Sequence, residues 1–105
     1  MDGNEYQKKV ATFAVYPSET KGYYLSLGLA GEVGEFCNKV KKLLRGDELY
    51  GLRKALFDEL GDICWYLAEI CNWFGFSLSD VMRGNIEKLE DRKLRDAIKG
   101  SGDDR

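Results

Sequence analysis

Two pairs of acidic residues recur in this sequence at helical spacing. Glu32 and Glu35 lie three residues apart in the segment LAGEVGEF, and Glu59 and Asp62 repeat that spacing in DELGD. Residues three apart are neighbours on a helix surface, so each pair presents two carboxylates side by side. Two carboxylates about 4 Å apart repel by roughly 4 kcal/mol at an effective dielectric constant of about 20. If all four meet, they need a cation, and Mg²⁺, with Mn²⁺ as an alternative, prefers such oxygen ligands.

Apolar residues recur at helical spacing along most of the chain, and no strand pattern competes with them. The pattern predicts four helices, over residues 4–15, about 20–44, 52–74 and 78–97. We expect Asn4 to be the N-cap of the first helix and Gly75 to end the third. Ser77 and Asp80 have the spacing of a capping box, which predicts the start of the fourth helix. The predicted fold class is therefore all-α, with a single domain over residues 1–97 and a disordered tail over residues 98–105.

The acidic pairs border the apolar stripes of their helices. At 100° per residue, Glu32 and Glu35 lie along one edge of the stripe in the second helix, and Glu59 and Asp62 lie along the same-handed edge in the third. The connection between these helices is short, which favours an antiparallel pair. We therefore expect the acids to converge on one pocket. The alternative is that both pairs are ordinary solvated flanks, because such spacings occur by chance in many helices.

Three glycines interrupt the second helix beside the first acidic pair. Gly28, Gly31 and Gly34 each cost about 1 kcal/mol relative to alanine in a helix interior. This cost indicates that another helix or a ligand approaches the backbone closely there.

Asn85 interrupts the apolar stripe of the fourth helix, and Lys88 and Arg92 follow it along one edge. An asparagine in such a seam often sets the register of helix packing. The alternative is functional: Asn85 would be an amide ligand to a metal or a phosphate, and Lys88 and Arg92 would bind anionic oxygens. The pattern is compatible with both.

Composition excludes several classes of protein. The chain has no histidine, which excludes a Ser-His-Asp triad, histidine-bearing zinc sites and the Glu-x-x-His di-iron site. A net charge of −2 argues against binding to a nucleic acid polymer. Cys37, Cys64 and Cys71 form no CxxC pair and lie on apolar stripes, so we expect reduced core thiols. Without a long apolar run or a signal-peptide pattern, we expect a cytoplasmic protein that does not enter a membrane.

Three segments in order, GLAGEVGE, DELGDICWYLAEI and NIEKLEDR, resemble the MazG family of all-α nucleoside triphosphate pyrophosphohydrolases. The resemblance covers about Tyr6 to Arg92. It implies a MazG-like fold of the four-helix-bundle type, completed in a homodimer or a dimer of dimers with active sites near the subunit interface. The implied reaction is the Mg²⁺-dependent hydrolysis of a (deoxy)nucleoside triphosphate to the monophosphate and pyrophosphate. House-cleaning of the nucleotide pool would be a corresponding cellular role.

The resemblance also implies roles for individual residues. Metal binding and catalysis are assigned to the four acids, Glu32, Glu35, Glu59 and Asp62. Which of the four acids is the general base stays open; Glu35 is one choice, because it lies farther from the core edge than Glu32. Contacts to the metal or the triphosphate are assigned to Asn85, Lys88 and Arg92, with Lys39 as a further phosphate candidate. Tyr66 and Trp73 are divided between packing and stacking on the base, and Trp65 is expected at a subunit interface.

Two other functions are compatible with the same sequence. The first is a helical bundle without enzymatic activity, which dimerises and only retains the acidic face. The second is a related pyrophosphohydrolase that acts on another nucleotide, such as phosphoribosyl-ATP. The products formed from a panel of nucleotides distinguish these two functions from the hydrolysis of nucleoside triphosphates.

Overall fold

The computed structural model describes residues 1–15 and 18–99, and every regular element within them is helical. The elements in chain order are α1 (Gly3–Ala11), a 3₁₀ turn (Ser18–Thr20), α2 (Lys21–Leu44), α3 (Leu49–Phe74) and α4 (Leu78–Lys99). The prediction of an all-α protein is confirmed.

Helix ends differ from the sequence prediction by a few residues. The side chain of Asp2 accepts a hydrogen bond from the backbone N–H of Glu5 at 2.8 Å, so Asp2 rather than Asn4 is the N-cap of α1. Gly75 ends α3 as predicted, with a φ of 76° in the left-handed region that favours glycine. α4 continues to Lys99, two residues beyond its predicted end. Residues 100–105, most of the tail predicted to be disordered, lie outside the described residues.

The turn between α3 and α4 is tied to α1 by side-chain hydrogen bonds. The Ser77 hydroxyl accepts a hydrogen bond from the N–H of Asp80 at 3.3 Å, which is one half of the predicted capping box. The amide of the buried Gln7 donates to the carbonyl of Phe76 at 2.7 Å and accepts from the N–H of Leu78 at 2.8 Å. α1 therefore determines where α4 begins.

α2 and α3 form the most extensive helix pair, and they run antiparallel as expected. Near the start of α2, Gly22 faces Trp73 at the end of α3. Near the other end of the pair, Lys39 of α2 contacts Glu59 of α3. The pairing follows from the short connection, residues 45–48, which leaves the two long amphipathic helices side by side.

The buried core lies where α1, α3 and α4 meet. It contains Val10, Ala68, Cys71 and Leu78, and Trp65 packs against it. Trp65 is partly buried in its own chain, and its place at a subunit interface stays a prediction. All three cysteines are free, as predicted, but only Cys71 is buried. The expectation of core thiols is wrong for Cys37 and Cys64, which are exposed because their stripes are not fully covered.

Large apolar side chains remain exposed along α3 and α4. On α3 they include Phe57, Leu60 and Leu67, and on α4 they include Val81, Met82, Ile86 and Leu89. α4 packs on α1 and makes no extensive contact with α2 or α3 in the described part of the chain. The radius of gyration is 17.4 Å, whereas a compact domain of about 100 residues has one of about 13 Å. One chain therefore leaves its bundle open.

Among the described residues, no helix combines the length and the apolar character that are needed to cross a membrane.

Candidate active site

Three of the four predicted acids meet between α2 and α3. Glu32 comes from α2, and Glu59 and Asp62 come from α3. Each offers one carboxylate oxygen, and these three oxygens lie within 4.8 Å of one another. Glu32 and Glu59 are half-buried, and Asp62 is exposed. The acids come together because each pair borders the apolar stripe through which the two helices pack.

Glu35 lies outside this group of three. Its side chain is 59% exposed, and the ammonium of Lys39 lies 3.9 Å from its Oε2. One helical turn separates Glu35 from Lys39 on α2, so this pair is local. The role of Glu35 as a metal ligand stays a prediction.

Lys39 contacts the carboxylates directly. Its Nζ donates a hydrogen bond to Oε1 of Glu59 at 2.8 Å, across the helix pair. This hydrogen bond raises the pKa of Lys39, and it is also the main cause that lowers the pKa of Glu59. Each shift favours the charged form of its own group, as expected for an ion pair.

Glu32 shows the opposite electrostatic effect. Burial raises the pKa of its carboxyl group, and the neighbouring acids Glu59, Asp62 and Glu35 raise it further. Glu32 and Glu59 therefore have pKa values shifted in opposite directions by their surroundings. A positive charge placed among these acids would relieve the repulsion at Glu32.

One oxygen of the group is buried without a partner. Within the described residues, Oε2 of Glu59 has no hydrogen-bond partner, and a buried acceptor in that condition costs about 1–3 kcal/mol. The donor set consists of oxygens alone, which suits Mg²⁺ or Mn²⁺ better than zinc. The unsatisfied oxygen and its two acidic neighbours thus fit a divalent cation.

The predicted residues of α4 do not reach this group within one chain. Asn85 and Lys88 are exposed, and Arg92 is half-buried. Over residues 1–15 and 18–99, no ion pair joins Lys88 or Arg92 to the four acids. This separation follows from the position of α4, which packs on α1.

An aromatic groove adjoins the carboxylates. It has a volume of about 590 Å³ and is lined by Thr20, Tyr23, Tyr24, Leu27, Gly28 and Tyr66. The ring of Tyr66 lies directly over Gly28, where a methyl group would overlap it. Gly28 precedes Glu32 by one turn and Tyr66 follows Asp62 by one turn, so the groove begins about 6 Å along the helices from the acids.

The sequence predicted only part of the lining of this groove. It identified Tyr66 and the close approach at Gly28, but it missed Tyr23, Tyr24 and Leu27. A signal was present, because Tyr24, Gly28 and Glu32 follow one another at four-residue intervals and so lie along one edge of α2. At Gly31 and Gly34 no atom of the described chain lies within 4 Å of an added Cβ, so a close approach there by a ligand or a helix of a second chain stays a prediction.

Trp73 lies apart from the carboxylates. Its ring rests on Gly22 near the start of α2, with Cη2 only 2.6 Å from where a Cβ would be. Eleven residues of helix separate it from Asp62, which corresponds to about 16 Å. This position favours packing over base stacking for Trp73.

Tyr6 is a neighbour of the site that sequence reasoning placed only on an apolar stripe. Burial is the largest cause that raises the pKa of its phenol, and the charges of Cys64 and Asp62 add to that rise. The effect of charge indicates that the phenol of Tyr6, on α1, lies near Asp62, the exposed member of the three acids. Nothing in the spacing of α1 predicts this, because it depends on how α1 crosses α3.

Comparison with known proteins gives two matches. The family model of the MazG nucleotide pyrophosphohydrolase domain matches residues 22–95. The Gene 37 protein of Mycobacterium phage L5 is 41% identical over 109 aligned residues, which cover 95% of this chain and 96% of that protein. No solved structure matches. The matched domain contains all four acids and the polar residues of α4, whereas α1 precedes it.

Proposed function

Because the chain belongs to the MazG nucleotide pyrophosphohydrolase family, we propose that it hydrolyses (deoxy)nucleoside triphosphates to the nucleoside monophosphate and pyrophosphate, with Mg²⁺ as its metal. Family membership itself indicates pyrophosphohydrolase activity. The observation that carries the proposal is the group of Glu32, Glu59 and Asp62, whose oxygens lie within 4.8 Å of one another. House-cleaning of the nucleotide pool is the corresponding cellular role.

The acids divide into metal ligands and a base. Glu32, Glu59 and Asp62 would hold the ion, and Mn²⁺ would fit the same oxygens. An ion held by these residues would supply positive charge for the phosphate oxygens and would lower the pKa of a bound water. Glu35 accepts the proton of the attacking water, a role supported by its position beside the group with an exposed carboxylate. One water is consumed, and pyrophosphate leaves as the monophosphate forms.

The nucleoside binds in the aromatic groove. Support comes from the position of the groove, one helical turn from Glu32 and Asp62, which suits a nucleoside whose phosphates reach the acids. Tyr66 supplies an aromatic surface for the base. Trp73 is a less suitable contact, because it lies against Gly22, well along α3 from the acids.

The active form is a homodimer, or a dimer of dimers, in which α4 packs against a second chain. The exposed apolar side chains of α3 and α4 support this arrangement, because stable soluble proteins seldom leave such faces open. We assign Asn85, Lys88 and Arg92 of the partner subunit to the triphosphate. Support for this assignment comes from the open position of α4, which leaves these side chains away from the acids of their own chain.

The reaction is tested by product analysis. The protein is incubated with each NTP and dNTP and with phosphoribosyl-ATP, in Mg²⁺ or in EDTA, and the products are separated by anion exchange. We expect monophosphate and pyrophosphate in Mg²⁺ and no turnover in EDTA. Diphosphate with inorganic phosphate would contradict the cleaved bond. Turnover of phosphoribosyl-ATP alone would select the related enzyme, and no turnover of any nucleotide would select the non-enzymatic bundle.

The dimer is tested by mixing two variants that each have much reduced activity. An Asp62→Asn chain and a Lys88→Met chain are unfolded together and refolded, so that mixed dimers form. If Lys88 acts across the interface, one site of each mixed dimer regains both wild-type groups, and about a quarter of the wild-type activity returns. Activity no higher than the sum of the separate variants would contradict the assignment to the partner. Light scattering on the wild type measures the oligomeric state directly.

A further inference from the structure

Lys39 occupies a position within the acid group that a phosphate-binding role does not require. It lies on α2 one turn after Glu35, and its Nζ is 2.8 Å from Oε1 of Glu59 and 3.9 Å from Oε2 of Glu35. Its side chain is only 23% exposed, and that of Glu59 only 14%. The ammonium thus lies between acids of two helices.

This ion pair differs from the pair that Lys54 and Asp58 form within α3. Lys54 and Asp58 are 79% and 55% exposed and lie one turn apart on the same helix. Such a solvated local pair contributes little to stability. Lys39 instead joins two helices at a point where Glu32, Glu59 and Asp62 repel one another, so its positive charge offsets part of that repulsion.

We propose that Lys39 is the resident counter-ion of the three clustered carboxylates of Glu32, Glu59 and Asp62. It holds Glu59 in position in the metal-free protein and competes with a divalent cation for the Oε1 oxygen of Glu59. The inference rests on the metal site of the proposed function. An ion bound by Glu59 would lie close to the ammonium at its present position, and two such cations repel. Metal binding therefore requires Lys39 to swing away from Glu59. Its four-carbon stem permits that movement.

The competition has a consequence that a phosphate contact does not predict. Removing the ammonium removes a competitor, so the metal should bind more tightly in the absence of any nucleotide. It also removes the counter-ion of the metal-free state, so the protein should be less stable in EDTA. A lysine whose only role is to bind phosphate would leave both quantities unchanged.

The test is calorimetric titration of MnCl₂ into the metal-free full-length protein without nucleotide. Lys39→Met keeps the length of the side chain and removes its charge, whereas Lys39→Arg keeps the charge. Lys54→Met is the matched control, because it removes one exposed positive charge from α3 whose ion-pair partner is Asp58. We expect Lys39→Met to lower the Kd for Mn²⁺ about three- to thirtyfold, and Lys39→Arg and Lys54→Met to stay within about twofold of the wild type.

Thermal unfolding of the same proteins supplies a second readout. In EDTA, we expect Lys39→Met to have a lower Tm than Lys54→Met, and saturating Mn²⁺ should raise the Tm of Lys39→Met more than that of the wild type. Circular dichroism verifies that each variant is folded before titration.

A Kd for Lys39→Met that equals or exceeds that of the wild type, in a folded variant, would overturn the inference and leave the metal site standing. Absence of Mn²⁺ and Mg²⁺ binding to every protein, wild type included, would overturn the metal site of the proposed function together with this inference. The two failures are thus distinguishable.

Discussion

The two functional regions of this protein differ in how far one chain assembles them. Between α2 and α3, three acids, a lysine and an aromatic groove lie together in a single chain. On α4, Asn85, Lys88 and Arg92 lie on a helix that packs on α1 and leaves its apolar side open. The same kind of amphipathic pattern therefore yields a formed site in one region and an unpaired surface in the other.

The difference comes from connectivity. Residues 45–48 hold α2 and α3 side by side, so their acidic edges have to meet. At the other end of α3, Gly75 and the hydrogen bonds of Gln7 direct α4 toward α1. A local motif can thus be completed by its own hairpin, whereas the polar residues of α4 need a second chain.

The largest expected effect comes from removing one of the three carboxylates that lie together between α2 and α3. Loss of residues that only orient metal ligands costs about 10–100-fold, so Asp62→Asn should lower kcat/KM by about 100-fold or more. Pyrophosphate release measures the effect, and circular dichroism should show unchanged helical content. Asp58→Asn, one turn earlier and exposed beside Lys54, is the control and should retain activity.

The same assay applied to Glu35→Gln tests the proposed base, and retained turnover there would remove Glu35 from the mechanism.

A smaller effect is expected from the unpaired surface of α4. Lys88→Met removes a charge-assisted contact to phosphate, worth about 1.5–3 kcal/mol, so kcat/KM should fall about 10- to 150-fold. The Kd for Mn²⁺ without nucleotide should not change, because Lys88 touches no acid of the formed site. Arg83→Met is the control, since Arg83 pairs with Asp80 of its own helix. Equal losses in both variants would indicate a general effect of charge on α4.

The groove is tested by two glycines of α2 with different surroundings. Gly28→Ala places a methyl group in the ring of Tyr66, so overpacking should cost about 1–3 kcal/mol and KM should rise. Gly31→Ala meets no neighbouring atom and should stabilise the helix by up to about 1 kcal/mol. Urea unfolding and nucleotide titration measure both changes. If Gly28→Ala behaved like Gly31→Ala, the contact between Tyr66 and α2 would not exist in solution.

The smallest effect is a dependence of stability on pH. Because the pKa of Glu32 is raised in the folded protein, its charge destabilises the fold at high pH, and stability is regained as the pH falls through that raised pKa. In EDTA at pH 8, Glu32→Gln should therefore unfold about 1–4 °C above the wild type. The advantage should shrink as the pH falls, since wild-type Glu32 then also becomes neutral. An advantage that is independent of pH would contradict the repulsion at Glu32.

Much of the fold was predictable because its causes are local. The helical periods, the glycine after α3 and the serine before α4 each act within a few residues. All four helices form, with ends shifted by a few residues, and Gly75 and Ser77 lie where the sequence placed them. The first N-cap was misplaced, because Asp2 and Asn4 are both suitable capping residues and only the backbone geometry selects between them.

The site was predictable in part for the same reason. Helical spacing put the acids on the correct edges, and three of them meet. The spacing also put Glu35 farther from the core edge than Glu32, but it does not determine how far each carboxylate reaches, so the place of Glu35 outside the group of three emerged only in three dimensions. The pairing of Lys39 with Glu59 was equally out of reach, because it joins side chains on two helices.

The sequence by itself determined that this protein is all-α and that its acids border two apolar stripes, since both properties depend on neighbours along one helix. Only the tertiary structure decided which apolar stripe is covered, which glycines lie under aromatic rings and which lysine pairs with the clustered acids. Those outcomes depend on the angle and register at which helices pack, and these are set by contacts between residues distant in the chain.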